Sequence, residues 1–197
     1  MAKIEIIYFS GYGHTTKMAE ALLNGASTEG EARLWSIPQD GVVADDVWQA
    51  LDAADAIIFG GPTYMGSMPW QFKRFADASS ARWMQAAWAD KLAGGFTNSA
   101  SLVGDKGVAM GFLQTLAAQH GMLWVSLGQM PANASDSTFD DRNHAGGSAG
   151  PLGTSPSDAD STMAPRKGDL QSAYDYGVRV SALAARLTSQ APDVGSA

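Results

Sequence analysis

Two rhythms of apolar residues alternate along the chain. Short strand-like runs fall at residues 3–9, 31–37, 56–60, 91–97 and 122–127. Between them lie stretches with helical spacing: about 15–24, a segment opened by Asp45-Asp46, one starting near Trp70, 107–120, and 169–189. Val47, Trp48, Leu51 and Ala54 share one face of the second helix, and Phe72, Phe75 and Ala76 turn inward from the third. Gly25 reads as the stop of the first helix. Strands alternating with helices predict an α/β fold, a parallel sheet covered on both faces.

One stretch breaks the rhythm. Residues 128–168 are rich in Ser, Asp, Gly, Asn and Pro and are too long for a neutral connection. They read as a functional lid or a disordered insert before the last helix. No repeat or linker divides the chain, and 197 residues suffice for one α/β core. The expectation is a single domain, 1–190, with a flexible tail, 191–197.

The first strand runs directly into Ser10-Gly11-Tyr12-Gly13-His14-Thr15-Thr16, which opens a helix. Small residues let backbone N–H groups converge, hydroxyls add donors, and the helix dipole favours an anion at the same place. The turn lacks the Gly-Lys-Ser/Thr of a nucleoside-triphosphate loop. Thr16 stands where a dinucleotide fingerprint needs its third glycine, and no acid closes the second strand. A hydroxyl-and-amide cradle without an obligatory cation suits one terminal phosphomonoester, such as that of FMN.

Ligands collect at the carboxyl ends of strands in such sheets. Two further loops leave there. Pro62-Thr63-Tyr64-Met65-Gly66 offers amides, a hydroxyl and flat or polarisable side chains to a ring system. Thr97-Asn98-Ser99-Ala100-Ser101-Leu102-Val103-Gly104 offers small polar groups at the corresponding edge. Three loops around one planar, phosphorylated cofactor is the economical interpretation.

Composition narrows the partners. The formal net charge of −7, with 13 Lys+Arg and no basic stripe, argues against nucleic acid. There is no cysteine, which excludes thiolate chemistry and sulfur-ligated metals, so redox chemistry needs a cofactor. The pairs Asp45-Asp46 and Asp140-Asp141 open a helix and sit in the long insert, and no metal site is assigned to them. His144 lies in a polar loop and reads as solvated. No apolar run approaches a membrane span, and Met1-Ala2-Lys3 enters the first strand without a targeting segment, so a cytoplasmic location is expected.

These features together resemble the flavodoxin-like NAD(P)H:quinone oxidoreductases of the WrbA type, over nearly the whole chain. Ser10–Thr15 is similar to that family's FMN phosphate loop, and Ala56–Thr63 to its third strand and ring-binding loop. Phe75-Ala76-Asp77 with Trp83, Gln119-His120-Gly121-Met122, and Gly146–Pro151 resemble later motifs. The resemblance implies a three-layer α/β/α sandwich with a five-stranded parallel sheet. It implies FMN contacts from Ser10, Gly11, Tyr12, Gly13, His14 and Thr15, from Pro62, Thr63, Tyr64, Met65 and Gly66, from Ser99, Ala100, Ser101, Leu102, Val103 and Gly104, and from His120. Tyr12 and His120 would take the catalytic places and Trp83 would border the substrate.

The implied activity is ping-pong transfer of two electrons from NADH or NADPH to a quinone in a homo-oligomer, a dimer or tetramer, whose neighbouring subunits complete the pocket. A non-enzymatic electron carrier or an FMN-binding interaction module is the alternative. Departures from the family pattern stand at Leu102-Val103, where glycine and threonine are usual, at Tyr64, where arginine is common, and in the short connection 38–44.

Overall fold

β1, Lys3–Tyr8, is the strand around which the protein is organised, with Ile4, Ile6, Ile7 and Tyr8 all buried. The computed structural model describes residues 1–190, so the expected tail at 191–197 lies outside the described residues. β1 pairs in parallel with β2 (Glu31–Ser36) on one side and β3 (Ala56–Pro62) on the other. β4 (Leu92–Ser99) follows β3, and β5 (Leu123–Trp124) stands at the far edge, giving the order β2-β1-β3-β4-β5. The chain reverses its direction of sheet growth between β1 and β3, which opens a crevice at their carboxyl ends.

The long polar stretch does not follow the fifth strand; it interrupts it. β5 pairs with the lower half of β4, Leu92 with Leu123 and Ala93 with Trp124. A further strand, β6 (Leu152–Thr154), returns beside the upper half, pairing Thr97, Asn98 and Ser99 with Leu152, Gly153 and Thr154. The Leu127 N–H already donates to Ser148 O instead of to β4, 2.8 Å away, so the excursion leaves the sheet there. β4 is consequently flanked on both sides along its polar end, which carries strand structure two residues past the expected limit and buries Thr97 and Asn98.

Alternate residues of the central strands face two separate cores. Ile7, Phe9, Ile57 and Phe59 pack against Trp48 of α2 (Asp45–Asp52), Phe72 and Phe75 of α3 (Trp70–Ala78), and Leu113 of α5 (Lys106–Gln119). A short helix, α4 (Ser80–Trp83), follows α3. Ile4, Ile6, Tyr8 and Ile58 face Met18 and Leu22 of α1 (His14–Ala26) and Tyr176 and Val180 of α6 (Lys167–Gln190).

Gly25 is not the stop of α1, which continues to Ala26. It is a contact glycine: a Cβ there would fall on the Tyr174 carbonyl, as one at Gly177 would fall on that of Leu22. The absence of both side chains lets α1 and α6 lie in close contact. No helix among the described residues is long and apolar enough to cross a membrane.

Candidate functional site

The turn after β1 holds its shape through its own atoms. Ser10 Oγ accepts the Gly13 N–H at 3.1 Å, which leaves the Ser10 proton free for a ligand. Gly13 adopts φ of 90°, a left-handed conformation that favours glycine, and starts α1 without a side-chain cap. No acid occupies the first turn of α1, whereas α2 opens on Asp45 and Asp46. The orphan N–H groups and positive dipole end of α1 therefore meet the crevice without an acid from the helix itself. His14 does something else as well: its Nε2–H donates to Ala159 O at 3.0 Å, a strap between distant parts of the chain.

The loop after β3 is a tight hairpin. Tyr64 and Ser67 exchange backbone hydrogen bonds around Met65 and Gly66, whose φ values of 47° and 82° are those of a type I′ turn. Met65 thus projects fully into solvent at the tip. Thr97 Oγ1 donates to Gly61 O, and a hydroxyl has one proton, so the 2.8 Å contact to Thr63 is donated by Thr63. Thr63 Oγ1 is left with acceptor capacity toward a ligand. The Tyr64 ring meets Tyr12 edge-on, centroids 6.4 Å apart, with its hydroxyl over Gly11. Burial, and after it Tyr12, raises the Tyr64 pKa.

Beyond β4, the loop 100–105 ends in two left-handed residues, Gly104 and Asp105. Lys106 is buried beneath it, donating to Ser101 O, Leu102 O and Thr154 Oγ1, each at 2.9 Å. From β6 the chain continues across the site: the Ser155 N–H donates to Ser99 O and its Oγ to Asn98 Oδ1, both at 3.0 Å. Residues 155–161 then cover the first turn, where Ser161 sits over Gly13.

The result is a pocket of about 630 Å³ at the carboxyl edge of the sheet. It brings together Ser10, Gly11, Tyr12, His14 and Thr15 from the first loop, Pro62, Thr63 and Tyr64 from the second, and Ser99 and Ala100 from the third. It adds Asn98 and residues of 155–161, among them Ser155, Ser157, Asp160 and Ser161. Gly13, Met65, Gly66, Ser101, Leu102, Val103 and Gly104 flank this space without lining it.

His120 and Trp83 are elsewhere. Trp83 is half exposed on α4. His120 is buried against the Trp88 ring, centroids 4.3 Å apart, and burial lowers its pKa. Ser79 Oγ gives its proton to Ala76 O, so His120 Nε2–H donates to Ser79 at 2.8 Å, and Nδ1 has no partner among the described residues. In a single chain neither residue lines the pocket. Among the described residues no group of three or more His, Cys, Asp or Glu is placed to hold a metal.

The cover loop belongs to the long polar stretch 128–168, in which nothing in the sequence indicates which residues meet the first turn.

Known proteins share these features. The model of the NADPH-dependent FMN reductase family matches residues 31–136, more than half of the chain. Flavodoxin FldP of Pseudomonas aeruginosa is 50% identical over 95% of this chain and 99% of its own length. The quinone-oxidoreductase QR2 of Triphysaria versicolor is 30% identical over 94% of this chain and 96% of its own. The crystal structure of a WrbA-like flavodoxin from Agrobacterium tumefaciens superposes with a TM-score of 0.77 at 46% identity, covering 94% of this chain and 99% of that one. With its 2-1-3-4-5 sheet and its three loops at one edge, the chain belongs to the NADPH-dependent FMN reductase family, in the WrbA-type, flavodoxin-like branch of oxidoreductases.

Proposed function

We propose that this pocket holds FMN, with the phosphate at the β1–α1 turn, and that the protein uses it to reduce quinones with electrons from NADH or NADPH. The observation that carries the reading is the meeting of an uncapped helix start, hydroxyl-bearing loops and two tyrosine rings in one space of about 630 Å³, within the range of cofactor sites. FMN, when bound, supplies the electron transfer. The protein's part is to place and screen it.

Ser10 and Thr15, with the N–H groups of α1, hold the monoester without a lysine or arginine. Asp160 lines the same pocket, and its carboxylate disfavours any second phosphate there. Thr63 accepts from the ring system, and Tyr12 and Tyr64 wall the pocket. Tyr12, Met65 and Val103 are exposed at the pocket or its flank, and would give a bound ring system an apolar rim suited to a nicotinamide or a quinone. A phenolic proton at Tyr12 is available to a quinone oxygen as charge develops on it. The same apolar rim, with exposed Trp83 on α4, supports assembly as a homo-oligomer, in which a neighbour brings its residues to the mouth of the site.

A second reading, an electron carrier without turnover of its own, is favoured by the relative named flavodoxin at 50% identity. Anaerobic mixing of FMN-loaded protein with NADH and with NADPH separates the two. Rapid loss of flavin colour, restored by benzoquinone, is expected for the oxidoreductase. Colour that persists until a partner reductase is added sinks that activity and leaves the carrier.

A further inference from the structure

Lys106 is the first residue of α5 and is 1% exposed. Two effects oppose an ammonium in that place: the loss of hydration and the positive end of the helix dipole. Burial lowers its pKa to about 8, and Asp169 acts in the opposite sense. Three acceptors compensate, the carbonyls of Ser101 and Leu102 and the Thr154 hydroxyl.

Those carbonyls have a geometric consequence. A trans peptide carries its C=O and N–H on opposite edges of one plane. Turning the Ser101 and Leu102 carbonyls onto Nζ turns the N–H groups of Leu102 and Val103 the other way. Neither N–H has a partner among the described residues. Both residues are exposed at the flank of the pocket, separated by Ser101 alone from Ser99 and Ala100, which line it. Thr154 fastens the arrangement from behind, since its own N–H donates to Asp169 Oδ2 at 2.9 Å.

We propose that Lys106 is a positioning residue: its ammonium fixes two peptide planes of the 100–105 loop so that the Leu102 and Val103 N–H groups donate to the edge of the flavin ring. The inference rests on the FMN reading given above. Donors so aimed, and polarised by the cation behind them, hold a ring that has gained charge more tightly than an oxidised one. Lys106 thus orients the backbone N–H groups of a loop whose Leu102 and Val103 side chains stay exposed.

Lys106→Met removes the donor and keeps an apolar stem. The affinities of the apo-protein for FMN and riboflavin, and the midpoint potential of the FMN-loaded protein, are compared with wild type. Both affinities are expected to fall about tenfold, because the contact is to the ring. The potential is expected to fall by about 30 mV, the equivalent of a tenfold change for a two-electron couple. Thr154→Val, which removes one acceptor and leaves the lysine, is expected to shift the potential in the same direction by less. It carries the test alone if K106M does not fold. An unchanged potential in K106M, or in T154V in that event, overturns the proposal. So does a loss confined to FMN with riboflavin unaffected, since that places the influence of Lys106 at the phosphate. Wild-type protein that takes up neither flavin overturns the FMN reading itself, a distinct outcome.

Discussion

The two ends of the pocket are built on opposite plans. At the β1–α1 turn the groups that face a ligand also make the turn: Ser10 holds Gly13, and Gly13 starts the helix. At the loop after β4 the peptide planes are held by the neighbouring Lys106, and Lys106 is itself fixed by residues distant in the chain, reaching Thr154, which reaches Asp169. A locally determined end persists when the surroundings loosen. An end held at a distance responds to whatever alters its buried charges, and so is the part of the site open to tuning.

The most severe way to break the self-contained end is Ser10→Ala with Thr15→Val. Each hydroxyl bonded to a charged phosphate contributes roughly 1.5–3 kcal/mol. FMN affinity is therefore expected to fall more than ~100-fold, while riboflavin, which lacks the phosphate, changes by less than about threefold. Equilibrium titrations with the two flavins check this. Equal losses for both would show that the turn does not discriminate the monoester. Lys106→Met is the counterpart at the other end, where both flavins weaken together, by about tenfold.

That difference in plan also decides what can be read from the chain. The first turn was legible because strand, glycines, hydroxyls and helix follow one another within a few residues. The sheet was legible because its strands alternate with helices. The division of the fifth strand was not, since Leu152-Gly153-Thr154 is too short to show a period and becomes a strand only through its register with β4. Lys106 looks in the sequence like any lysine near a helix start; its burial and its bond to Thr154 of the returning β6 appear only in the fold. Gly25 has the appearance of a helix stop, and only the Tyr174 carbonyl beside it shows a contact. His120 was located by motif, yet the packing of Trp88 and the hydroxyl of Ser79 determine what it touches.

A smaller effect is expected where the two ends are joined. The His14 ring is the strap from the first turn to Ala159 of the cover. His14→Ala removes one hydrogen bond, about 0.5–1.5 kcal/mol, and leaves the turn's own Ser10–Gly13 contact in place. FMN affinity should fall roughly fivefold, mainly through faster dissociation as the cover opens more often. Stopped-flow displacement of bound FMN measures it. An unchanged dissociation rate would mean that residues 155–161 stay in place without His14.

The finest test uses pH, and its sign follows from the direction of the Lys106 shift. Burial lowers that pKa to about 8, from 10.5. The ammonium is present below about pH 8 and is lost above it, so the orientation of the Leu102 and Val103 planes weakens as pH rises through 8. Asp169 faces the lysine from α6; burial raises its pKa first, while the Thr154 N–H and Lys106 lower it. His144 in turn acts on Asp169. The fold as a whole moves the other way: the unfolded chain keeps this proton up to about pH 10, so between about 8 and 10 loss of the proton in the folded state favours folding. Riboflavin affinity of the wild type is thus expected to fall about twofold between pH 7 and pH 8, with no loss of thermal stability attributable to Lys106. K106M should show a flat profile over the same range. A wild-type profile parallel to that of K106M would remove Lys106 as the titrating group and leave both ends of the pocket insensitive to its charge.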